Sequence, residues 1–369
     1  MTLTNDQQIL ESAAERYLRE NYDFNQRRAR VEQGIYCDTN HWKAFADLGW
    51  LSLLLPESMG GLGLGYREIA ILAELCGKYL VTEPLIDSAL ATSTLLAPTQ
   101  RSNELLPLVM KGEMIPIPAL DEPYRSRRKH PGTLLEKTSS SWRLRGEKVW
   151  VGAGASGTHY VVSATGPEGL VWVLITASQE GVSLDTYPTH DGRGGASLQF
   201  DTNIEPNQIL LNGEKAKEAQ TVLKEQAMIL GSAETLGAMQ AALDATVDYT
   251  KQREQFGQPL ASFQALQHRM ADMLIQIELA RSLVYAACHA ADKGSIERGR
   301  FALASKVKTA AVGKRVTQEA IQLHGGIATT DECIVGHFFK RVTALESWLC
   351  SRGEALQEFV QLESQKFEH

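Results

Sequence analysis

Apolar positions recur at helical spacing through the first third of the chain, give way to short β-rich runs, and return to helical spacing almost to the end. Ile9, Ala13 and Tyr17 lie four residues apart, and Trp42, Phe45, Leu48 and Gly49 carry a second stripe toward a loop. That loop, Leu55-Pro56-Glu57-Ser58-Met59-Gly60-Gly61-Leu62-Gly63, is glycine punctuation between helices, and the next helix is expected from about Tyr66 through Gly77. Packing and turn geometry account for these glycines without any ligand.

Between Glu113 and Gly213 the pattern changes. Trp142-Arg143-Leu144, Tyr160-Val161-Val162-Ser163, Val171-Trp172-Val173-Leu174-Ile175 and Ala196-Ser197-Leu198-Gln199-Phe200 alternate with Gly, Pro, Ser and Asp turns, as strands of an antiparallel β domain do. After Glu214 three helical stripes follow: Leu236, Met239, Leu243, Val247; then Phe263, Leu266, Met270, Met273, Ile277; then Val316, Ala320, Leu323. Gly257 and Pro259 stop the first of these helices. The expected fold is α+β and mainly helical, with an N-terminal helical domain over 1–112, a middle antiparallel β domain over 113–213 and a C-terminal four-helix bundle over 214–369.

The composition narrows the function. A formal net charge of -7 and a pI near 5.8 argue against nucleic acid as the main partner. The one basic run, Arg125-Ser126-Arg127-Arg128-Lys129-His130, reads either as a solvated loop or as a contact for an anionic ligand or acidic surface. Cys37, Cys76, Cys288, Cys333 and Cys350 are scattered and lack metal-site or redox spacing, which fits reduced thiols. Neither a signal-peptide pattern nor an apolar run of membrane-spanning length is present, so a soluble cytoplasmic protein with no membrane partner is expected.

The chemistry concentrates in two segments. Arg253-Glu254-Gln255-Phe256-Gly257 offers a permanent cation, an aromatic face and a turn; Gln322-Leu323-His324-Gly325-Gly326 offers a two-way hydrogen-bonder and a backbone that a phosphate approaches closely. A nucleotide diphosphate needs these groups. Taken singly, Arg253 also suits an ion pair with Asp248 or Glu254, and Phe256 suits core packing.

Set in YTKQREQFGQPLASFQALQHRMADM and AIQLHGGIATTDE, the two segments resemble the acyl-CoA dehydrogenase family of flavoenzymes. The resemblance extends over the whole three-part order and is strongest after Gly231. It implies that the bundle of one subunit reaches across an interface to hold the ADP part of its neighbour's FAD. Arg253 would pair with the pyrophosphate, and Phe256, Leu260 and Phe263 would line the adenosine side. Gln322, Gly325 and Gly326 would take the remaining phosphate and ribose contacts. Where the family continues Gly-Gly-Asn-Gly or Gly-Gly-Ile-Gly, this chain has Gly325-Gly326-Ile327-Ala328, which puts a Cβ where positive φ is expected.

The other half of such a site departs from the family. The chemistry needs a carboxylate to remove an α-proton of a CoA thioester and a flavin to accept the β-hydride. The flavin-facing segments read Ala119-Leu120-Asp121-Glu122-Pro123-Tyr124-Arg125, at the Thr-Glu-Pro-like turn, and Trp150-Val151-Gly152-Ala153, in place of Trp-Ile-Thr-Asn. Gly152 removes the hydroxyl that would face the flavin ring, and Trp150 reads as β-domain core rather than cofactor wall. The catalytic Glu of the family is absent as well: Leu349 and Ala227 occupy its two known positions, and Met228 stands where many members carry Arg. Glu346, about one helical turn from Leu349, is the nearest replacement. Glu225 points to another face than Ala227, and Asp331 and Glu332 read as loop or cap residues.

A retained ADP half beside a degraded catalytic half resembles the small, paralogous subunits of heteromeric acyl-CoA dehydrogenases of the pimeloyl-CoA or steroid side-chain type. The run Gly336-His337-Phe338-Phe339-Lys340-Arg341 looks like that subgroup. The resemblance implies α,β-dehydrogenation of an acyl-CoA within an α2β2 heterotetramer, FAD shared with a partner subunit carrying the base, and an electron-transferring flavoprotein as acceptor. Two other readings stay open: a self-sufficient homotetramer with a displaced base, and a non-catalytic subunit without flavin.

Overall fold

The computed structural model describes residues 3–123, 131–138 and 141–365, so the basic run from Arg125 to His130 lies outside the described residues. In chain order the helices and strands are α1 (Asn5–Asn21), α2 (Phe24–Glu32), α3 (Thr39–Asp47), α4 (Tyr66–Tyr79), α5 (Leu85–Ala91) and α6 (Ser102–Met110). The strands β1 (Pro116–Ala119), β2 (Leu134–Lys137), β3 (Trp142–Val151), β4 (His159–Gly166), β5 (Gly169–Thr176), β6 (Val182–Tyr187), β7 (Gly195–Ile204) and β8 (Ile209–Asn212) follow. Last come α7 (Gly213–Gln252), the short strands β9 (Glu254–Gln255) and β10 (Gln258–Pro259), then α8 (Gln264–Asp292), α9 (Arg298–His324), α10 (Ile334–Ser347) and α11 (Arg352–Gln365). The order of helices, sheet and helices is the one expected. The chain forms two compact units, one of Met1–Ala29, Gly65–Val81 and Glu225–His369, the other of Arg30–Leu64 and Thr82–Lys224.

The first unit is helical. Thr4 starts α1 with a reciprocal cap: its hydroxyl accepts from the Gln7 backbone, and the Gln7 side chain accepts from the Thr4 backbone. Helices α4 and α7 cross backbone to backbone through two glycines. A Cβ on Gly77 would fall 1.9 Å from the Glu234 carbonyl oxygen, and one on Gly237 would fall 1.7 Å from that of Glu74. No other residue allows the approach. Ile69, Leu72 and Ala73 of α4 are buried beside this crossing, as are Leu236 and Met239 of α7. The buried Arg341 guanidinium of α10 pairs with Glu234 and donates to the Val81 carbonyl at 2.9 Å, so its charge is met at close quarters.

The second unit carries the sheet, in the order β6-β7-β3-β2-β4-β5-β8, with β1 also paired to β4. The pairings are antiparallel, except that β1 and β2 run parallel to β4. Parallel neighbours need a long connection, and the β2–β3 hairpin lies between β1 and β4 in sequence. Strand β5 is buried on both faces, and Trp172 at its centre is fully buried with its indole N–H donating to the Ala216 carbonyl at 3.1 Å. Strand β3 slips register against β7 between Lys148 and Val151, a bulge that turns Trp150 outward.

Candidate functional site

The segment after α7 is a hairpin. Gln255 pairs with Gln258 and Glu254 with Pro259, leaving Phe256 and Gly257 as a two-residue loop. Both loop residues have positive φ, 55° and 78°, as a type I′ turn requires. Gly257 accepts this freely, whereas a bulky residue there is strained by about 1–3 kcal/mol. The turn leaves the Phe256 ring 91% exposed, touching Phe263 edge-on at 6.2 Å between centroids. Core packing, one of the two readings of Phe256, is therefore excluded.

Arg253 sits at the base of the hairpin, its N–H donating to the Tyr249 carbonyl at 2.8 Å and its carbonyl accepting from Leu260 N–H at 2.8 Å. The side chain is exposed, and among the described residues it pairs with neither Asp248 nor Glu254. Leu260 and Phe263 are half-buried where the hairpin runs into α8.

The second segment ends α9. Gln322 is exposed on the last turn, and Gly325 takes φ 68° and ψ −150°, a region closed to residues with a Cβ. No atom lies within 4 Å of where a Cβ would stand on either Gly325 or Gly326. The backbone is open to an approaching ligand. Ala328 behaves otherwise than expected: it is buried in a short 3-10 turn and is not among the residues of positive φ, because the left-handed turn is made at Gly325. Its Cβ costs nothing.

A stack joins the two segments. Tyr249, one turn before Arg253, lies on the imidazole of His324, the residue before Gly325, with centroids 4.4 Å apart and planes at 20°. His324 Nδ1–H donates to the Ala320 carbonyl at 2.8 Å, since a carbonyl only accepts. Burial lowers the pKa of His324 below its ordinary value, with that hydrogen bond opposing, so the ring is held neutral. Sequence reasoning gave neither Tyr249 nor His324 a role. An exposed guanidinium with no ion pair among the described residues, an exposed aromatic ring and an open glycine backbone on two adjoining segments are the chemistry that the ADP part of a dinucleotide needs.

The two positions that the resemblance assigns to the base hold buried apolar side chains. Ala227 is 1% exposed within α7, and Leu349 is 8% exposed. Helix α10 ends at Ser347, so Leu349 lies beyond it with φ 54°. Glu346 and Leu349 therefore do not share a helical face, and the one-turn spacing that favoured Glu346 does not exist. The end is fixed by Lys306, a buried side chain whose ammonium donates to the Leu345 carbonyl at 2.7 Å. Trp348 covers Gly231, where a Cβ would meet the indole at 3.2 Å. Other carboxylates are engaged: Glu225 with Arg298 at 2.8 Å, Asp331 with Lys340 at 2.9 Å, and Glu332 with Arg28 at 4.0 Å.

In the sheet, Trp150 also corrects its reading. It is 75% exposed with φ 55°, and its ring makes an edge contact with Tyr187 at 6.2 Å and 77°. It is not core. Gly152, two residues on, supplies no side chain.

Two family models match the chain: "Acyl-CoA dehydrogenase, N-terminal domain" over residues 4–111 and "Acyl-CoA dehydrogenase, C-terminal domain" over residues 219–349. Acyl-CoA dehydrogenase IpdE2 of Mycobacterium tuberculosis is 32% identical over 342 residues, covering 92% of this chain and 91% of the relative. This chain belongs to the acyl-CoA dehydrogenase family. Among solved structures, a variant of the Tcur3481-Tcur3483 steroid ACAD superposes with a TM-score of 0.86 at 28% identity over all of both chains. The ChsE4-ChsE5 complex from Mycobacterium tuberculosis matches with a TM-score of 0.88 over 98% of each chain, and at 22% identity it attests the fold. Acyl-CoA dehydrogenases are oxidoreductases acting on CoA thioesters, and among the described residues no helix is long and apolar enough to cross a membrane.

Proposed function

We propose that this chain is one subunit of a mixed acyl-CoA dehydrogenase oligomer, active as part of it and lacking the base of its own. It lends Arg253, Phe256, Leu260, Phe263, Gln322, Gly325 and Gly326 to the ADP part of an FAD seated on a paralogous subunit. That subunit supplies the glutamate base for α,β-dehydrogenation of a CoA thioester, and an electron-transferring flavoprotein reoxidises the flavin. The observation that carries the reading is the contrast within one compact unit. An exposed hairpin and glycine turn are joined by the Tyr249–His324 stack, while Ala227 and Leu349 fill both base positions with buried hydrocarbon.

FAD supplies the hydride acceptor when bound. This chain's own residues do simpler work. Arg253 sets a fixed cation against the diphosphate, Phe256 gives the adenosine a ring to pack on, and Gly325-Gly326 lets phosphate oxygens reach backbone N–H groups. Steroid side-chain and dicarboxylyl thioesters are the substrate classes of this reading, and the likeness at 28% identity to a steroid ACAD of known structure favours the first. The test is flavin content and mass of the chain expressed alone and with an acyl-CoA dehydrogenase paralogue. FAD held only by the mixed oligomer is the expected result. A yellow, active homo-oligomer would overturn it.

A further inference from the structure

Asn212 is the only asparagine of the chain followed by glycine, and it stands where the sheet ends and α7 begins. Its pairing with Val171 is the last of the β5–β8 ladder, so the peptide bond from Asn212 to Gly213 lies just beyond the paired residues. Asn212 is exposed and Gly213 half-exposed. Gly213 has φ 57°, and outside its own helix only the Glu168 carbonyl oxygen, at 3.8 Å, lies within 4 Å of where a Cβ would stand. As the first residue of α7, Gly213 has an N–H with no acceptor inside that helix. The Asn212 side chain donates from Nδ2 to Glu168 Oε2 at 3.1 Å.

A backbone nitrogen that follows asparagine is a nucleophile within reach of the side-chain amide, and a glycine, having no Cβ, puts least in its way. We propose that Asn212 is a site of self-modification, at which the Gly213 nitrogen closes on Asn212 Cγ. Solvent base takes the Gly213 amide proton and the N–Cγ bond forms. The Cγ–Nδ2 bond breaks, and Nδ2 takes a proton from water and leaves as ammonia. Water then opens the cyclic imide. Cleavage at Cγ gives aspartate, and cleavage at the main-chain carbonyl gives isoaspartate. Nothing is oxidised or reduced, and water is the only co-reactant. Either product makes the chain one charge more negative than its formal -7 and sets a carboxylate against Glu168, where an amide now donates. Aspartate still suits the start of α7, where negative charge is favoured. Isoaspartate adds a carbon to the main chain between β8 and α7, and so disturbs the first turn of the helix that runs to Gln252, the residue before Arg253.

The test incubates the folded full-length chain in mildly alkaline buffer made with heavy-oxygen water. Mass spectrometry with peptide fragmentation then locates the acid at Asn212 or at Asn207. Asn207 is also exposed but precedes Gln208, which makes it the internal control. Conversion at Asn212 many times faster than at Asn207 is expected, with solvent oxygen in the product and both aspartate and isoaspartate present. Gly213→Ala slows the conversion. Should a Cβ at φ 57° unfold that variant, Asn212→Gln keeps the amide on a longer side chain and removes the rapid conversion. An Asn212 that lasts as long as Asn207, or that reacts only once the chain is unfolded in urea, overturns the proposal.

Discussion

The Tyr249 ring lies flat on the His324 imidazole, 4.4 Å between centroids, and this contact ties the arginine hairpin to the glycine turn. Aromatic stacking of this kind contributes about 0.5–1.5 kcal/mol beyond area burial. Tyr249→Ala is therefore expected to weaken FAD retention by the mixed oligomer about tenfold, by that contact and the lost area together. Tyr249→Phe should retain it. Equal retention in all three proteins would show that the segments hold their places without the stack.

On the proposed reading Arg253 would meet the diphosphate as a fork, so charge alone would not replace it. A hydrogen bond to a charged group contributes about 1.5–3 kcal/mol, which puts Arg253→Ala at roughly 10- to 100-fold weaker FAD binding. Arg253→Lys should recover less than half of that loss in free energy. Titration of the apo-complex with FAD measures both. Full recovery by Lys would reduce the role to a point charge.

His324 adds a pH dependence whose sign is fixed. Its folded pKa is lowered by burial, so the unfolded chain takes up the proton first, near the ordinary value of 6.5. The stability this ring contributes is present above that value and is lost as the pH falls toward the folded pKa. His337, likewise lowered by burial, acts in the same direction. Thermal midpoints measured from pH 8 to pH 5 should fall less steeply in His324→Phe than in the parent. Parallel profiles would remove His324 from the account.

Two glycine substitutions should separate fold from site. Gly77→Ala forces a methyl into the Glu234 carbonyl and should cost about 3 kcal/mol or more, through separation of α4 from α7. Gly325→Ala meets open space and should cost about 1–3 kcal/mol of backbone strain. Its main effect should be on flavin content rather than on solubility. Denaturation midpoints and the absorbance of the purified oligomer report the two effects independently.

Glu346→Gln should leave turnover of the mixed oligomer within about twofold, since this half-buried carboxylate is not the proposed base and the change keeps its size. A loss beyond about 100-fold, the scale of a removed general base, would return the base to this chain.

Helices α1, α3, α4, α7, α8 and α9 and the four longest strands were legible from their apolar patterns, whereas α2, α5, α6, α10 and α11 carried no stripe that was read, so five helices stand where a four-helix bundle was expected. Strands β1, β2 and β6 were not, being short or half exposed. Within the site, the residue types of Arg253, Phe256 and Gly325 could be read from the sequence, but their exposure could not. Phe256 is exposed because a two-residue turn closed by its immediate neighbours fixes its φ, and Trp150 because a register slip against β7, about 50 residues on, turns it outward. Glu346 was misplaced for a related reason. Nothing near Ser347 marks a helix end, and the group that fixes it, Lys306, lies 39 residues before the Leu345 carbonyl it holds.

The glycine crossing of α4 with α7 has a consequence for how the chain is made. Helices α1 and α4 belong to the same compact unit as Glu225–His369, whereas nearly everything between Thr82 and Lys224 closes on itself. During synthesis the sheet can fold as it emerges, but α4 has only α1 of its own unit to pack on until α7 and the helices after it have left the ribosome. The most exposed moment in the life of this protein therefore comes before its last helices exist, and a truncated chain ending in the sheet would leave the α7 side of α4 bare.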